Sequence, residues 1–214
     1  MEKKIFTIGY TGFNIEEFIN VLKKNNINAV VDVRSNPFSK YYPDYDTNRL
    51  KNKLNEYGIA YRLYDKEFGA RQNDYSLYTK ENKLDLNLFA KSKQFQLGVK
   101  RLKKGIVCGF TIVLMCAEKN PMECHRAVLI GRELSLRGFK VFHIIDSKKV
   151  ISEKELELLL VNNYFPQKNQ LSIFNEDNMS LEGQIRKAVN MQREKIAYHE
   201  KEILDEQDIY DRFH

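Results

Sequence analysis

Short apolar runs recur along the first two thirds of the chain and predict its strands. Five of them, "KIFTIGY", "NAVVDVRS", "IAYRLY", "FTIVLMCA" and "KVFHII", are largely continuous rather than alternating in polarity. Continuous runs of this length are typical of strands buried on both faces, as in a parallel sheet covered by helices. We therefore predict five buried strands.

Segments with helical spacing of apolar residues separate these runs. Asn14 precedes "IEEFINVLKKNNI", which has acids in its first turn and predicts a capped helix. Further helices are predicted over residues 47–57, 88–104 and 124–137, while residues 65–88 predict an irregular connection with one short helix. The alternation predicts an α/β domain over residues 1–146, a three-layer, mostly parallel, Rossmann-like sheet with helices on both faces.

The pattern changes beyond Asp146. "SEKELELLLVNNYF" and "SLEGQIRKAVNMQREKIAYHEKEILDEQ" predict helices, and "PQKNQLSIFNEDNM" between them predicts a linker. We expect residues 147–214 to form an α-helical C-terminal extension that packs on the domain or on a partner chain, because isolated polar helices are marginally stable. Self-association through this tail is one alternative, and the sequence leaves the oligomeric state open.

The composition of the chain indicates its cellular compartment and the charge of its partners. The chain is 43% hydrophobic and 30% charged, and no apolar run is long enough to predict a membrane span. The start of the chain lacks a signal-peptide cleavage pattern, and three cysteines without disulfide-like spacing indicate a reducing compartment, so a cytoplasmic protein is expected. The net charge of +6 is concentrated in residues 1–146 and favours anionic partners.

Polar side chains stand at the ends of three predicted strands. Tyr10 follows the first strand, Asp32 and Arg34 end the second, and Cys116 and Glu118 follow the fourth. Because ligands of open parallel sheets bind beyond the carboxyl ends of the strands, we expect these groups to converge on one crevice.

The stretch "LMCAEKNPMECHR" predicts a turn and a helix that begins near Cys124. A helix N-terminus attracts anions and lowers the pKa of a thiol placed there. We therefore predict an anion held by the N–H groups of residues 123–126, with Arg126 and either Arg34 or Arg71 in contact. The alternative is that the polar residues of this turn are solvated and that Cys124 is a core residue.

The cysteines leave further alternatives open. Seven residues separate Cys116 from Cys124, unlike the close pairs of zinc ribbons, so the spacing predicts no metal site. A reversible disulfide between them requires the loop to fold back, and Cys116 as an inert strand residue is also compatible with the pattern. Cys108, at the opposite end of the predicted strand, is expected to be structural.

Aromatic residues near the strand ends suggest a nucleotide-like ligand. Phe38 and Tyr42 lie in the loop "RSNPFSKYYPDYD" and, with Tyr10, could stack on bases beside phosphates; the alternative is that the tyrosines cover the sheet edge. The chain has no Walker loop and no Gly-x-Gly-x-x-Gly, so we predict no nucleotide cofactor. The cysteine-phosphatase spacing is also absent, because Asn120 stands six residues before Arg126.

Four motifs, "TIGYTG", "VVDVRSNPFS", "FGARQ" and "LMCAEKNPMECHR…GFKVFHI", resemble those of the family called domain of unknown function 488, over about residues 4–145. The residues that match the family's pattern are Asp32, Arg34, Gly69, Arg71, Cys116, Glu118, Cys124, His125 and Arg126. Tyr10 and Thr11 stand where many members have His and Ser, and Ala70 replaces a glycine. The resemblance implies that these groups are used together, and it supplies no reaction.

The function expected from these residues is an enzyme acting on a phosphate-bearing, nucleotide-like substrate, free or within nucleic acid. Glu118 or Asp32 would serve hydrolytic or glycosidic chemistry, Cys116 or Cys124 thiol chemistry, and His125 proton transfer. Two alternatives are a non-catalytic nucleic-acid-binding module and a Cys/His metal or redox site. A further alternative for Asp32 is a structural ion pair with Arg34 or Arg126.

Overall fold

A computed structural model describes residues 3–39, 41–166 and 179–200 and confirms the predicted fold class. The strands are β1 (Lys4–Gly9), β2 (Ala29–Asp32), β3 (Ala60–Leu63), β4 (Ile112–Cys116), β5 (Lys140–Ile144) and β6 (Val150–Ser152). They form one sheet in the order β3-β2-β4-β1-β5-β6. The first five run parallel to their neighbours, and β6 pairs antiparallel with β5. The sequence pattern did not predict β6.

The helices are α1 (Ile15–Lys24), α2 (Thr47–Glu56), α3 (Asp65–Phe68), α4 (Leu86–Phe89), α5 (Lys93–Val107), α6 (Arg132–Leu136), α7 (Glu153–Tyr164) and α8 (Leu181–Ile196). Asn14 caps α1 as predicted, in a capping box with Glu17. The single helix predicted over 88–104 is wrong, because the Ser92 hydroxyl accepts a hydrogen bond from the Phe95 N–H and starts α5 as a new helix.

Alternate residues of each strand pack into two cores on opposite faces of the sheet. Val30 and Val113 face a core formed with α1 and α2, whereas Val31 and Leu114 face a core that includes side chains of α5 and α6. The three layers predicted from the continuous apolar runs are therefore present.

The predicted domain boundary at residue 146 falls just after β5, and β6 and α7 follow it. Predicted linker residues 167–178 lie outside the described residues, as do residues 201–207 of the predicted long helix, whose described part ends at Ile196. Arg193 of α8 is buried and donates hydrogen bonds to Val128 O (3.1 Å) and Asn87 Oδ1 (2.6 Å). In the part of the chain that is described, none of the helices is long and apolar enough to cross a membrane.

Candidate functional site

The centre of the sheet contains a topological switch point. β1 and β4 are neighbours, and Gly9 and Cys116 pair at their carboxyl ends. The chain leaves β1 towards β2 on one side of this pair and leaves β4 towards β5 on the other. Connections that diverge in this way open a crevice at the strand ends, where open α/β sheets bind ligands.

The loop after β4 folds back over the end of β1. A Cβ atom on Gly9 would lie 1.8 Å from the Glu118 carbonyl oxygen, so no side chain fits at this position. The Thr11 N–H donates to Ala117 O at 3.1 Å, and Arg126 Nη1 donates to Glu118 O at 2.5 Å. These contacts fix the loop and place the Glu118 side chain beside the cysteines.

Two thiols, one carboxyl and one imidazole meet at the end of β4. Cys124 Sγ lies 2.8 Å from Glu118 Oε2 and 3.9 Å from His125 Nδ1. The sulfurs of Cys116 and Cys124 and a ring nitrogen of His125 all lie within 4.8 Å of one another, and all three residues are buried. Glu118 is partly exposed and also lines an apolar cavity of about 530 Å³ with Met122, so the cluster has one side towards solvent.

The charges of this cluster are tightly linked. The hydrogen bond to Cys124 and burial raise the pKa of the Cys116 thiol. Burial alone would raise the pKa of Cys124, but the hydrogen bond from Cys116 and the positive charge of Arg126 outweigh it and hold this pKa well below its usual value.

The pKa values of Glu118 and His125 are both raised, which favours protonated neighbours for the Cys124 thiolate. The carboxyl end of Glu118 is packed among protein atoms although the residue reaches solvent, and this burial with the negative charge of Cys124 raises the pKa of Glu118. Burial would lower the pKa of His125, but the hydrogen bond to Cys124 outweighs it and raises the pKa. The group can therefore hold one thiolate among protonated neighbours.

A backbone carbonyl just after β2 fixes the orientation of the His125 ring. His125 Nε2 lies 3.2 Å from Val33 O. A carbonyl oxygen only accepts, so Nε2 carries a proton and Nδ1 faces the Cys124 sulfur. In the neutral ring, Nδ1 is then a lone-pair donor directed at the two thiols.

The anion site predicted at residues 123–126 meets two contrary observations. The N–H groups of Glu123 and Cys124 donate to Asn120 O and Pro121 O, so they are already used. Arg126 is fully buried and donates to the carbonyls of Glu118 and Lys119, so it braces its own loop.

The helix predicted over 124–137 is present, but its first half is not α-helical. A 3-10 turn (Pro121–Glu123) is followed by a π-helix (Arg126–Gly131), and α-helical geometry begins only at Arg132. π-Helical turns of this kind are frequent at functional sites.

Asp32 and Arg34 form a buried ion pair. Arg34 Nη2 lies 2.6 Å from Asp32 Oδ2, and Tyr61 donates its hydroxyl proton to the same oxygen at 2.7 Å. Arg34 Nη2 also donates to Tyr45 O at 2.8 Å. Arg34 Nη1 is buried and, among the described residues, has no hydrogen-bond partner. The geometry is that of the structural ion pair considered as the alternative for Asp32.

The sheet separates this pair from the cysteines. Val31 packs in the same core as Cys116, and side chains alternate along a strand, so Asp32 points to the opposite face, where its partner Tyr61 is buried. The structure therefore brings Cys116, Glu118, Cys124, His125 and Arg126 together and places Asp32 and Arg34 in a second cluster. The contact between His125 and Val33 O joins the two.

The three aromatic residues predicted to stack on a substrate differ in accessibility. Tyr10 is buried and stacks on Tyr45 with ring centroids 4.3 Å apart, so its face is already covered. Phe38 is 67% exposed and Tyr42 is 39% exposed. Tyr42 lines a shallow groove of about 420 Å³ over residues 11–15 and 41–45.

Arg71, the third predicted anion-binding arginine, contacts the loop after β2 and a tyrosine that follows α8. Its N–H donates to Ser35 Oγ at 2.8 Å, and its guanidinium stands 4.7 Å from the centre of the Tyr198 ring. Tyr198 follows α8, so this contact joins the C-terminal extension to the loop after β2.

Sequence reasoning missed the residues that hold the candidate groups in place. Tyr61 and Val33 contact Asp32 and His125 across strands, and neither stands out in the sequence. The one available signal for Tyr61 is strand alternation, which places it on the same face as Asp32 once the register of β2 and β3 is known.

Residues 14–132, more than half of the chain, match the family described as Domain of unknown function DUF488. The chain belongs to this family. The resemblance inferred from the four motifs is thereby confirmed, and the DUF488 match includes every residue of both clusters. Comparisons with curated proteins and with solved structures found no match.

Proposed function

We propose that this DUF488 protein is an enzyme that acts on a phosphate-bearing, nucleotide-like substrate, with its chemistry carried by Glu118, Cys124 and His125. The observation that carries the proposal is the contact of the Cys124 sulfur with a carboxyl oxygen at 2.8 Å and an imidazole nitrogen at 3.9 Å, beside the switch point. Assembling ionisable groups in a protein interior costs free energy, and active sites are where such clusters concentrate.

The surroundings of the crevice support an anionic, aromatic substrate. Phe38 and Tyr42 present exposed rings, and Tyr42 lines a groove, which suits stacking on a base. The buried Arg34 Nη1 has a proton to donate, and residues 1–146 carry an excess of Lys and Arg over acids. Glu118, partly open to solvent, is the group of the cluster that a substrate reaches first.

The test compares Glu118→Gln and Cys124→Ser with Cys108→Ser, which changes an exposed cysteine outside the cluster. Each protein is incubated with a mixture of nucleoside mono-, di- and triphosphates and a short single-stranded oligonucleotide, and products are measured by mass spectrometry. We expect turnover to fall by about 100-fold or more in the first two variants and to remain unchanged in the third. Equal turnover by a folded Glu118→Gln/Cys124→Ser double variant would exclude the cluster as the site of chemistry.

A second candidate function is a non-catalytic nucleic-acid-binding module, and α5 favours it. This 15-residue helix contains five basic residues and no acid. Arg101 pairs with Glu67, while the other four are exposed lysines. These are Lys93, Lys100, Lys103 and Lys104. A row of cations on a helix that contains no acid is suited to the phosphates of a nucleic-acid backbone.

The binding hypothesis is tested with a fluorescein-labelled single-stranded oligonucleotide and fluorescence anisotropy. Lys100→Glu/Lys103→Glu should weaken binding by about ten-fold or more and flatten its salt dependence. The matched control, Arg49→Glu/Lys51→Glu, makes the same charge change at exposed positions of α2. Equal losses of affinity in both double variants would mean that binding depends on the net charge of the protein and not on α5. The Glu118→Gln variant should bind the oligonucleotide as tightly as the unmodified chain.

A further inference from the structure

Three soft donor atoms converge in the core at the end of β4. The sulfurs of Cys116 and Cys124 and a ring nitrogen of His125 lie within 4.8 Å of one another. Tetrahedral Zn²⁺ with thiolate and imidazole ligands holds its donors about 3.5–3.8 Å apart. The Cys124 Sγ to His125 Nδ1 distance of 3.9 Å is already close to this value. A movement of about 1 Å or less in side-chain position would bring the donors to coordination distance.

The His125 ring is arranged as a metal-binding histidine usually is. Its Nε2–H is directed at Val33 O, 3.2 Å away, which leaves Nδ1 as the lone-pair atom facing the sulfurs. Metal-ligating histidines nearly always donate their second ring N–H to a carbonyl or carboxylate in this way, because the contact fixes the tautomer and the ring. This contact comes from β2 and is independent of the cysteine positions.

The buried charge of Arg126 is compatible with the same site. Arg126 is fully buried and donates to the carbonyls of Glu118 and Lys119, and its buried Nε has no partner among the described residues. A buried guanidinium is unfavourable without a negative charge nearby. Two thiolates and one carboxylate around a divalent cation leave one net negative charge, the same charge that the Cys124 thiolate alone places beside Arg126, so the proposed site fits this guanidinium.

We propose that Cys116, Cys124 and His125 bind one Zn²⁺ ion and that the Glu118 carboxylate completes its coordination. Thiolate and imidazole donors select zinc over the hard cations Mg²⁺ and Ca²⁺. Glu118 Oε2 contacts the Cys124 sulfur at 2.8 Å and is the ligand open to solvent, so it occupies the exchangeable position. The inference concerns the same cluster as the proposed enzyme but does not require catalysis.

The ligand spacing explains why a zinc site was not predicted from the sequence. Zinc ribbons take ligands from close cysteine pairs, whereas here the ligands lie on either side of a seven-residue loop that returns to the end of its own strand. Arg126 holds this return through Glu118 O. Only the folded loop brings Cys124 back to Cys116.

The experiment uses the full-length chain and needs no substrate. Metal is removed with a chelator under reducing conditions, and Co²⁺ alone is titrated in while the absorption spectrum is recorded. We expect one equivalent to bind, with thiolate-to-cobalt charge-transfer bands and the visible bands of tetrahedral Co²⁺, and with stoichiometric Zn²⁺ displacing the colour. Elemental analysis of the protein as purified should find about one zinc per chain.

Variants assign the ligands. Cys116→Ser and Cys124→Ser should each lose about half of the charge-transfer intensity, since each removes one of two thiolates. Each should also weaken Zn²⁺ binding by about 100-fold or more, and Cys108→Ser should match the unmodified chain. Glu118→Gln should retain the sulfur bands, shift the visible bands and weaken binding by about ten-fold. His143→Gln would perturb another buried histidine, so the exposed-cysteine variant is the better control.

Co²⁺ titration of the unmodified chain is sufficient to overturn the proposal. A folded, reduced protein that binds no Co²⁺, or binds it without sulfur bands, excludes the site. Loss of turnover in Glu118→Gln together with the expected ten-fold weakening of metal binding would support both proposals, whereas unchanged metal binding in this variant would exclude Glu118 as a ligand. Metal binding without any turnover would leave the zinc site established and contradict the enzyme.

Discussion

Asp32 shows how the surroundings of one residue decide its role. In the sequence it is a carboxylate at the end of a strand, which is where catalytic acids occur in parallel sheets. In the structure it is fully buried and bonded to Arg34 and Tyr61, and it points away from the cysteines. Glu118, two residues beyond a strand of the same sheet, reaches both the thiols and solvent.

A first prediction at this scale concerns the stability that Asp32 provides. Asp32→Ala removes the partner of a buried guanidinium, and we expect it to lower the free energy of unfolding by about 3–5 kcal/mol in urea titrations. Asp44→Ala, an exposed carboxylate in the following loop, is the control and should change the free energy by less than about 0.5 kcal/mol. Similar small effects of both changes would mean that the ion pair is not structural.

A second prediction concerns Gly9. Gly9→Ala would place a methyl group 1.8 Å from Glu118 O, a backbone atom, so the loop after β4 must move. We expect a loss of about 1–3 kcal/mol or more in the free energy of unfolding. In Gly12→Ala the new methyl meets only side-chain carbons of Lys119 at 3.2–3.3 Å, which can move aside. A Gly9→Ala variant as stable as Gly12→Ala would contradict the described position of the loop.

At the scale of elements, the segment between β4 and α6 has the largest effect on the site. A 3-10 turn and a π-helix replace the regular helix that the apolar spacing predicts. Pro121 and the Asn120 side chain, which accepts a hydrogen bond from the Met122 N–H, form the turn. The turn delivers Cys124 to the end of β4, and the π-helix then carries the chain away between the sheet and α8.

The docking of α8 gives a third prediction. Arg193 lies in the interface and donates hydrogen bonds to Val128 O, Asn87 Oδ1 and Glu133 Oε1, so Arg193→Ala removes three hydrogen bonds. We expect the variant to lose at least about 1.5–3 kcal/mol and its α8 amides to exchange faster with deuterium. Arg186→Ala, on the exposed side of the same helix, should leave exchange unchanged. Equal exchange in both variants would show that Arg193 does not anchor the helix.

At the scale of the whole molecule, the candidate site couples separate parts of the sheet. Cys116 ends β4, His125 is held by a carbonyl that follows β2, and Arg126 braces the loop over β1. A ligand bound at this point contacts groups that are brought together only by folding. Its binding free energy therefore adds to the stability of the entire fold.

This coupling gives a fourth prediction, for the proposed zinc ion. With free Zn²⁺ at about 100 times its dissociation constant, the free energy of unfolding should rise by about 2.7 kcal/mol over the chelated protein. Thermal unfolding of both forms measures the difference as a shift in Tm. Cys108→Ser should show the same shift and Cys124→Ser should show none. A metal-independent Tm in the unmodified chain would contradict the site.

The sequence by itself determined the layers of the fold. Continuous apolar runs, capping residues such as Asn14 and glycines such as Gly58, which has a positive φ of 70°, are local signals, and the strands and α1 and α2 follow them. The same reasoning failed at Ser92, where a helix cap interrupts apolar spacing that predicts one longer helix. It also failed at β6, whose three residues are too few to show a period.

The site was predicted as a set of residues but not as an arrangement. The motifs supplied all five members of the cysteine cluster, because each follows a strand or belongs to the next turn. Register, the face of the sheet and the path of the loop decided that Asp32 faces away, that Arg126 is a brace and that Val33 O orients His125. These contacts depend on several segments at once, and their geometry exists only in the folded chain.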